Sequence, residues 1–227
     1  MPNFTSLRFG VIVASFVVAA APDAQADDTQ AWSSLVVQPT PAEGEKLLLS
    51  FDAHARWRDD ASELGVTILR PALGWRLNPS VDLWAGYAHV TLDTGSADIT
   101  EHRLWQQVSF KAGEVFGGQL SSRTRLEQRE RENADGTGYR LRQLVRWSRP
   151  IDDTPLSIVA TNEVFAAFND TDWGQRSGFD QNRAFIGLGV RLSGTARLEA
   201  GYLNNLIDTP AGTTTNQAVA ISFVITP

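Results

Sequence analysis

Residues 46–58 read KLLLSFDAHARWR, and the fold is decided by how those letters alternate. One parity holds Leu47, Leu49, Phe51, Ala53, Ala55 and Trp57. The other holds Leu48, Ser50, Asp52, His54, Arg56 and Arg58. Successive side chains of a strand point to opposite faces, so this segment as a strand has one oily face and one wet face. A helix, at 100° per residue, would spread both sets around its circumference.

The same period recurs along the chain. Residues 178–192 set Ala184, Ile186, Leu188 and Val190 against Gln181, Arg183, Gly187, Gly189 and Arg191. Residues 118–131 carry the most polar face: Gln119, Ser121, Arg123, Arg125, Glu127, Arg129 and Arg131. Near the end, Val219, Ile221, Phe223 and Ile225 oppose Ala218, Ala220 and Ser222. The pattern predicts strands over about 46–58, 63–77, 81–92, 100–112, 117–132, 138–149, 155–165, 178–192, 195–206 and 214–226. Short connections at 78–80, 112–116, 151–154 and 193–195 alternate with longer polar ones at 93–99, 133–137, 166–177 and 207–213, with 59–62 short on the loop side. Short turns at one end and longer polar loops at the other is how outer-membrane barrels are built. The expected fold is therefore all-β: an antiparallel up-and-down transmembrane β-barrel over 46–227, with about ten strands, or twelve if the preceding segment joins. An even count places both ends of the barrel on the periplasmic side.

That preceding segment, 27–45, holds Trp32 among apolar residues before Pro39 and Pro41. It reads as an extra strand, a lid or a strip within the lumen. Residues 1–26 read as a secretory signal peptide: Arg8, an apolar run from Phe9 to Ala21, then Ala24-Gln25-Ala26 flanking a cleavage point. The run is too short to span a bilayer as a helix. Together these place the mature chain in the outer membrane of a Gram-negative-type bacterium, or alternatively in the periplasm.

Of 227 residues none is Cys, which excludes disulfides, zinc–thiolate and iron–sulfur sites, and thiol catalysis. A net charge of −6 gives no overall basic footprint for nucleic acid. Basic usage is skewed: 18 Arg against Lys46 and Lys111.

Alternation alone does not say which face turns outward, since a soluble lipocalin-like barrel has the same period with the faces exchanged. The aromatics decide. If the strand from Lys46 rises from the periplasm, Trp57, Tyr87, Tyr139 and Tyr202 fall near outer strand ends. Trp75, Phe110, Trp147 and Phe223 fall near periplasmic ends, and all eight lie in the apolar parity. Two belts of rings match the interfacial girdles of a membrane barrel. The polar parity then lines the lumen with Arg56, Arg70, Arg76, Arg103, Arg123, Arg125, Arg129, Arg140, Arg142, Arg146, Arg183, Arg191 and Arg197. Against them stand Asp52, Glu101, Glu127, Glu163 and Glu199. Arginine forks paired with carboxylates pack a narrow bore. The excess of cations also favours small anionic solutes.

Catalytic signals are weak. His54, His89 and His102 are the only histidines. His54 shares a face with Asp52 and Ser50, but neighbours on one strand do not make a converging triad. Loop residues Asn169, Asp170 and Asp172 lack calcium-loop spacing, and no phosphate loop or dinucleotide fingerprint occurs. No cofactor and no metal is assigned.

Several pieces, in order, carry a resemblance. They are Ala31-Trp32-Ser33, Arg70-Pro71-Ala72-Leu73-Gly74-Trp75, Trp84-Ala85-Gly86-Tyr87 and Glu101-His102-Arg103-Leu104-Trp105-Gln106-Gln107. Then come Arg123-Thr124-Arg125-Leu126-Glu127-Gln128-Arg129, Asn162-Glu163, Phe179-Asp180-Gln181-Asn182-Arg183 and Gly201-Tyr202-Leu203-Asn204. Over most of 31–205 the chain resembles the domain of unknown function 2490 family. The resemblance implies an outer-membrane β-barrel with no assigned activity, and it offers no catalytic residues. The expected function is a non-enzymatic barrel in contact with outer-membrane lipid and lipopolysaccharide: a narrow anion-preferring, porin-like pore or an envelope-structure protein. The alternatives are an outer-membrane lipid or lipopolysaccharide hydrolase using His54 or His102, and a soluble periplasmic binding barrel.

Overall fold

A computed structural model describes residues 28–227; the signal-peptide expectation for 1–26 lies outside the described residues. The described chain holds eleven strands and no helix. They are β1 (Asp28–Val37), β2 (Leu47–Arg58), β3 (Glu63–Asn78), β4 (Val81–Asp93), β5 (Asp98–Val115), β6 (Gly118–Arg131), β7 (Gly138–Pro150), β8 (Leu156–Ala167), β9 (Gly178–Arg191), β10 (Ala196–Thr209) and β11 (Gly212–Ile225). From β2 to β11 each strand pairs antiparallel with the next, and β1 closes the barrel between β2 and β11.

The count is odd, where ten or twelve was expected. Of the three placements open to residues 27–45, the structure has the wall strand. An odd ring of alternating strands must contain one parallel pair, and this is β1 with β11, from Asp28↔Asn216 to Val37↔Ile225. Parallel pairing is slightly weaker per residue, but closure leaves no strand edge unpaired. It also corrects the even-count expectation: β1 begins at the loop end, where Asp28 accepts a hydrogen bond from the Asp60 backbone N–H.

The long-loop end is less uneven than the composition suggested. The expected 207–213 loop is a turn at 210–211, because Thr209 pairs with Gly212. The polar Thr213–Thr215 run continues β11 as a strand. The expected 112–116 turn is also displaced. A bulge between Lys111 and Gly113 carries β5 on to Val115, and the turn is Phe116-Gly117, both with positive φ. That backbone matches the twist of a two-residue hairpin.

The faces fall as the alternation predicts. Outward residues such as Leu73 (60% exposed), Ile186 (60%) and Val219 (59%) form an apolar shell, while inward Arg70 (6%), Glu127 (1%) and Glu101 (0%) are buried. The turn-side belt of Trp75, Phe110, Trp147 and Phe223 sits near strand ends. On the loop side only Trp57 and Tyr139 do so; Tyr87 and Tyr202 lie half-way along β4 and β10, opposite Leu104 and Val219. Inside, two apolar clusters line one wall: Leu48, Ala72, Trp84 and Trp105 toward the turns, and Ile68, Ala88 and Val90 toward the loops. Gly86 makes room for Trp105, since a Cβ there would lie 2.3 Å from the indole.

Candidate functional site

The bore is organised by the strict alternation of β5 to β8, which stacks inward charges in layers. In the loop-side layer, Glu101 receives Arg103 Nε at 2.6 Å, Arg129 Nε at 2.6 Å and Arg131 Nε at 3.2 Å. Next, Glu127 lies opposite Arg140 in register and bonds Arg140 Nη2 and Arg142 Nη1, each at 2.7 Å. Arg140 reaches onward to Asp180 at 2.8 Å. Glu163 holds Arg123 and Arg142 together. Nearest the turns, Glu199 takes a two-pronged contact from Arg146 and a third bond from Arg197. Each of these four glutamates thus meets at least two guanidinium groups, the geometry that offsets the cost of burying charge.

Cations outnumber acids, and the surplus rests on neutral groups. Arg56 stacks 4.0 Å from the Trp32 ring and Arg125 3.9 Å from the Trp105 ring. Arg125 is bonded only to the Gln107 amide oxygen, and Arg183 to Asn205 and Gln181. Cation–π contact of this kind is worth roughly 0.5–2 kcal/mol, without neutralising the charge.

The β8–β9 loop, 168–177, folds onto the loop-side layer. Gln175 accepts Arg129 Nη1 at 3.1 Å, the Trp173 carbonyl accepts Arg131 Nη1 at 3.1 Å, and Arg131 lies over the Trp173 ring. Below it, one inward residue from each of β3 to β11 (Ile68, Val90, Glu101, Glu127, Arg140, Phe165, Gln181, Asn205 and Ala218) is 0–8% exposed. The loop-side half of the bore is therefore closely packed along β3 to β11.

The turn-side half is not. Two adjoining cavities of about 290 and 390 Å³ share Val36, His54, Arg70, Arg123 and Leu144. The first reaches Trp32, Arg56, Arg142, Arg146 and Arg183, and the second reaches Ser80 and Lys111 at the turn end. The interior thus contains most of the arginines read from the sequence. Arg191 and Arg197 pair with each other in register at the turn end, where both are exposed and Arg197 bonds Glu199. Arg76 pairs with Asp82 at 2.9 Å near the same end.

Sequence reasoning missed Trp32, Trp105, Phe165, Gln107, Gln175 and Arg131 as lumen partners. Trp105 and Phe165 share parity with Arg103 and Glu163, so alternation was the available signal.

The histidines do not assemble a triad. His54 Nε2 bonds Asp52 at 2.7 Å, and Ser34 lies opposite His54 in register. The Ser34 hydroxyl donates to Ser222 at 2.9 Å instead of to the ring. His102 is outside the bore, bonded to the Tyr87 hydroxyl and to Glu132. Of the acidic loop residues, Asp170 accepts the Ser177 N–H and Asp172 accepts the Asp135 N–H.

The model of the protein family of unknown function DUF2490 matches residues 29–216. The chain belongs to the DUF2490 family. An uncharacterized protein of Methylorubrum extorquens is 45% identical over 154 residues, which is 66% of this chain and 67% of that one. No solved structure matches. The DUF2490 match takes in β1 and the arginine layers and stops at Asn216, so most of β11, the partner of β1 in the parallel seam, lies beyond it.

Proposed function

We propose that this DUF2490 barrel is an outer-membrane protein whose plugged, positively charged lumen accepts small anions from the periplasmic side and performs no catalysis. The apolar shell carries this reading. Burying one Leu, Val or Phe side chain is worth roughly 1.5–3 kcal/mol. An exterior with Leu69, Leu73, Leu104, Ile186, Leu188, Val219 and Ile221 open to water far exceeds the apolar patches of soluble monomers. Acyl chains would cover it, and closure satisfies the backbone groups that hydrocarbon leaves without partners. The inward cation surplus gives the lumen its preference for anions.

The filled loop-side half favours binding over steady conduction, so the resting barrel should pass little current in a planar bilayer. Any residual current should prefer anions, as its reversal potential in a salt gradient would report; cation preference would overturn the electrostatic reading. Membrane residence is tested by washing envelopes at alkaline pH. Retention until detergent is added is expected, and release by the wash would favour the soluble periplasmic barrel. The hydrolase reading predicts product from labelled lipid A, and none is expected.

A further inference from the structure

We propose that the larger turn-side cavity is a binding site for a phosphate-class oxyanion, inorganic phosphate or a phosphomonoester group, held by Arg125, Arg123 and Lys111 beside Trp105. The inference rests on the reading of the lumen as anion-accepting and narrows it to one ligand chemistry.

Three buried donors on this wall have no acceptor: Arg125 Nη1, Trp105 Nε1 and Arg123 Nε. Arg125 and Trp105 are each 3% exposed, so water does not relieve them at the surface. Both remaining Arg125 donors, Nε and Nη2, are engaged by one neutral oxygen of Gln107 at 2.9 and 2.6 Å. Guanidinium and indole nitrogens only donate, so only an acceptor can satisfy them.

Charge selects the acceptor. Arg123 has Glu163, and Arg70 has Asp52. Arg125 and Lys111 are the two cavity-lining cations without a carboxylate in ion-pair reach among the described residues. A phosphate group carries about −1.5 to −2 charges near neutral pH and several strong acceptor oxygens, which matches two uncompensated cations. A carboxylate supplies one charge and fewer acceptor positions.

Hydroxyls complete the set. Ser50, Ser109 and Ser121 line the cavity, and Ser109 accepts from Gln107, which leaves its own proton free to donate. The two acids bordering the space are already engaged, Asp82 by Arg76 and Asp52 by His54 and Arg70. A volume of about 390 Å³ exceeds what a bare phosphate fills, leaving room for a small group esterified to it.

The test uses the full mature chain in detergent micelles, titrated with inorganic phosphate, glycerol 3-phosphate, acetate and chloride, and read by calorimetry and indole fluorescence. Saturable phosphate binding is expected, weakened at least about tenfold by Arg125→Gln. Tighter binding of glycerol 3-phosphate would identify a phosphomonoester as the ligand, and equal or weaker binding would identify the free ion. Should Arg125→Gln fail to fold, Lys111→Gln at the mouth reads the same loss, several-fold. No saturable phosphate binding, or binding unchanged in both variants, overturns the site. Acetate and chloride binding as well as phosphate sinks this inference and leaves the anion-accepting lumen standing. Failure of every anion sinks both. Phosphate binding to a chain released without detergent would remove the membrane reading and keep the site.

Discussion

Three guanidinium groups converge on the Glu101 carboxylate, at a place with no exposed surface. The arrangement is stable only as a set, because the anion offsets Arg103 and Arg129, which are almost wholly buried. Removing the charge of one member leaves the rest buried without compensation, a change that typically costs about 3–5 kcal/mol. Glu101→Gln is therefore expected to lower unfolding stability in urea by that amount. Glu132→Gln is the contrast. Its partner His102 lies on the outer surface, both side chains are about half exposed, and such pairs are worth roughly 0–1 kcal/mol. Equal effects from the two substitutions would mean that the Glu101 layer is wet and loosely held. The cations with neutral partners differ again. Arg125 and Arg183 are held by amide oxygens and ring faces, so they are fixed in place while their charge stays available to a ligand.

Among the elements, the β8–β9 loop turns a barrel mouth into a plug. It is pinned by its own acids: Asp170 Oδ1 accepts the Ser177 N–H at 2.6 Å, and Asp172 reaches across to the Asp135 N–H. The Ser177 hydrogen bonds, chiefly from its backbone N–H, hold the Asp170 carboxyl below the usual aspartate range, because they favour the charged form. A carboxyl lowered in the folded chain supports the loop fully above the ordinary aspartate value of ~3.9, and that support is lost as pH falls through the lower folded value. In an NMR titration the Ser177 amide resonance should therefore move with a midpoint below ~3.9, and Asp170→Asn should abolish the movement. A midpoint at or above that value would mean that the bond does not persist. The sequence made most strands legible because period two is a local property of each segment. It left β1 open as a strand, a lid or a lumen strip, because its place in the wall is completed by pairing with β11 residues nearly two hundred positions away. Nor did it reveal the tight turn at 210–211, since Ile207–Thr209 and Gly212-Thr213 read as loop composition but extend β10 and β11 as strands.

For the whole molecule, the sign of each face was readable and the state of the bore was not. Which parity turns outward follows from rings and aliphatics along single strands. Whether arginines leave a channel depends on how side chains from non-adjacent strands meet across the bore, and Arg146 on β7, for instance, reaches Glu199 on β10. Closure is likewise a property of the whole. One parallel pair carries it, and its centre is the Ser34–Ser222 contact, with hydroxyl oxygens 2.9 Å apart across the seam. The chain has no Cys of its own, so a pair introduced there reports on the seam alone. Ser34→Cys with Ser222→Cys should oxidise to a disulfide, because the two side chains are paired in register and already in contact across the seam. The bond would close a loop of nearly the whole described chain, stabilising the barrel by on the order of 3–5 kcal/mol. Heated in detergent, the oxidised variant should unfold later than its reduced form. Ser33→Cys with Ser222→Cys should stay reduced, since Ser33 faces the exterior and Ser222 the lumen. If both pairs oxidise equally, the seam slips in register. If neither does, β1 is not the strand that closes the ring.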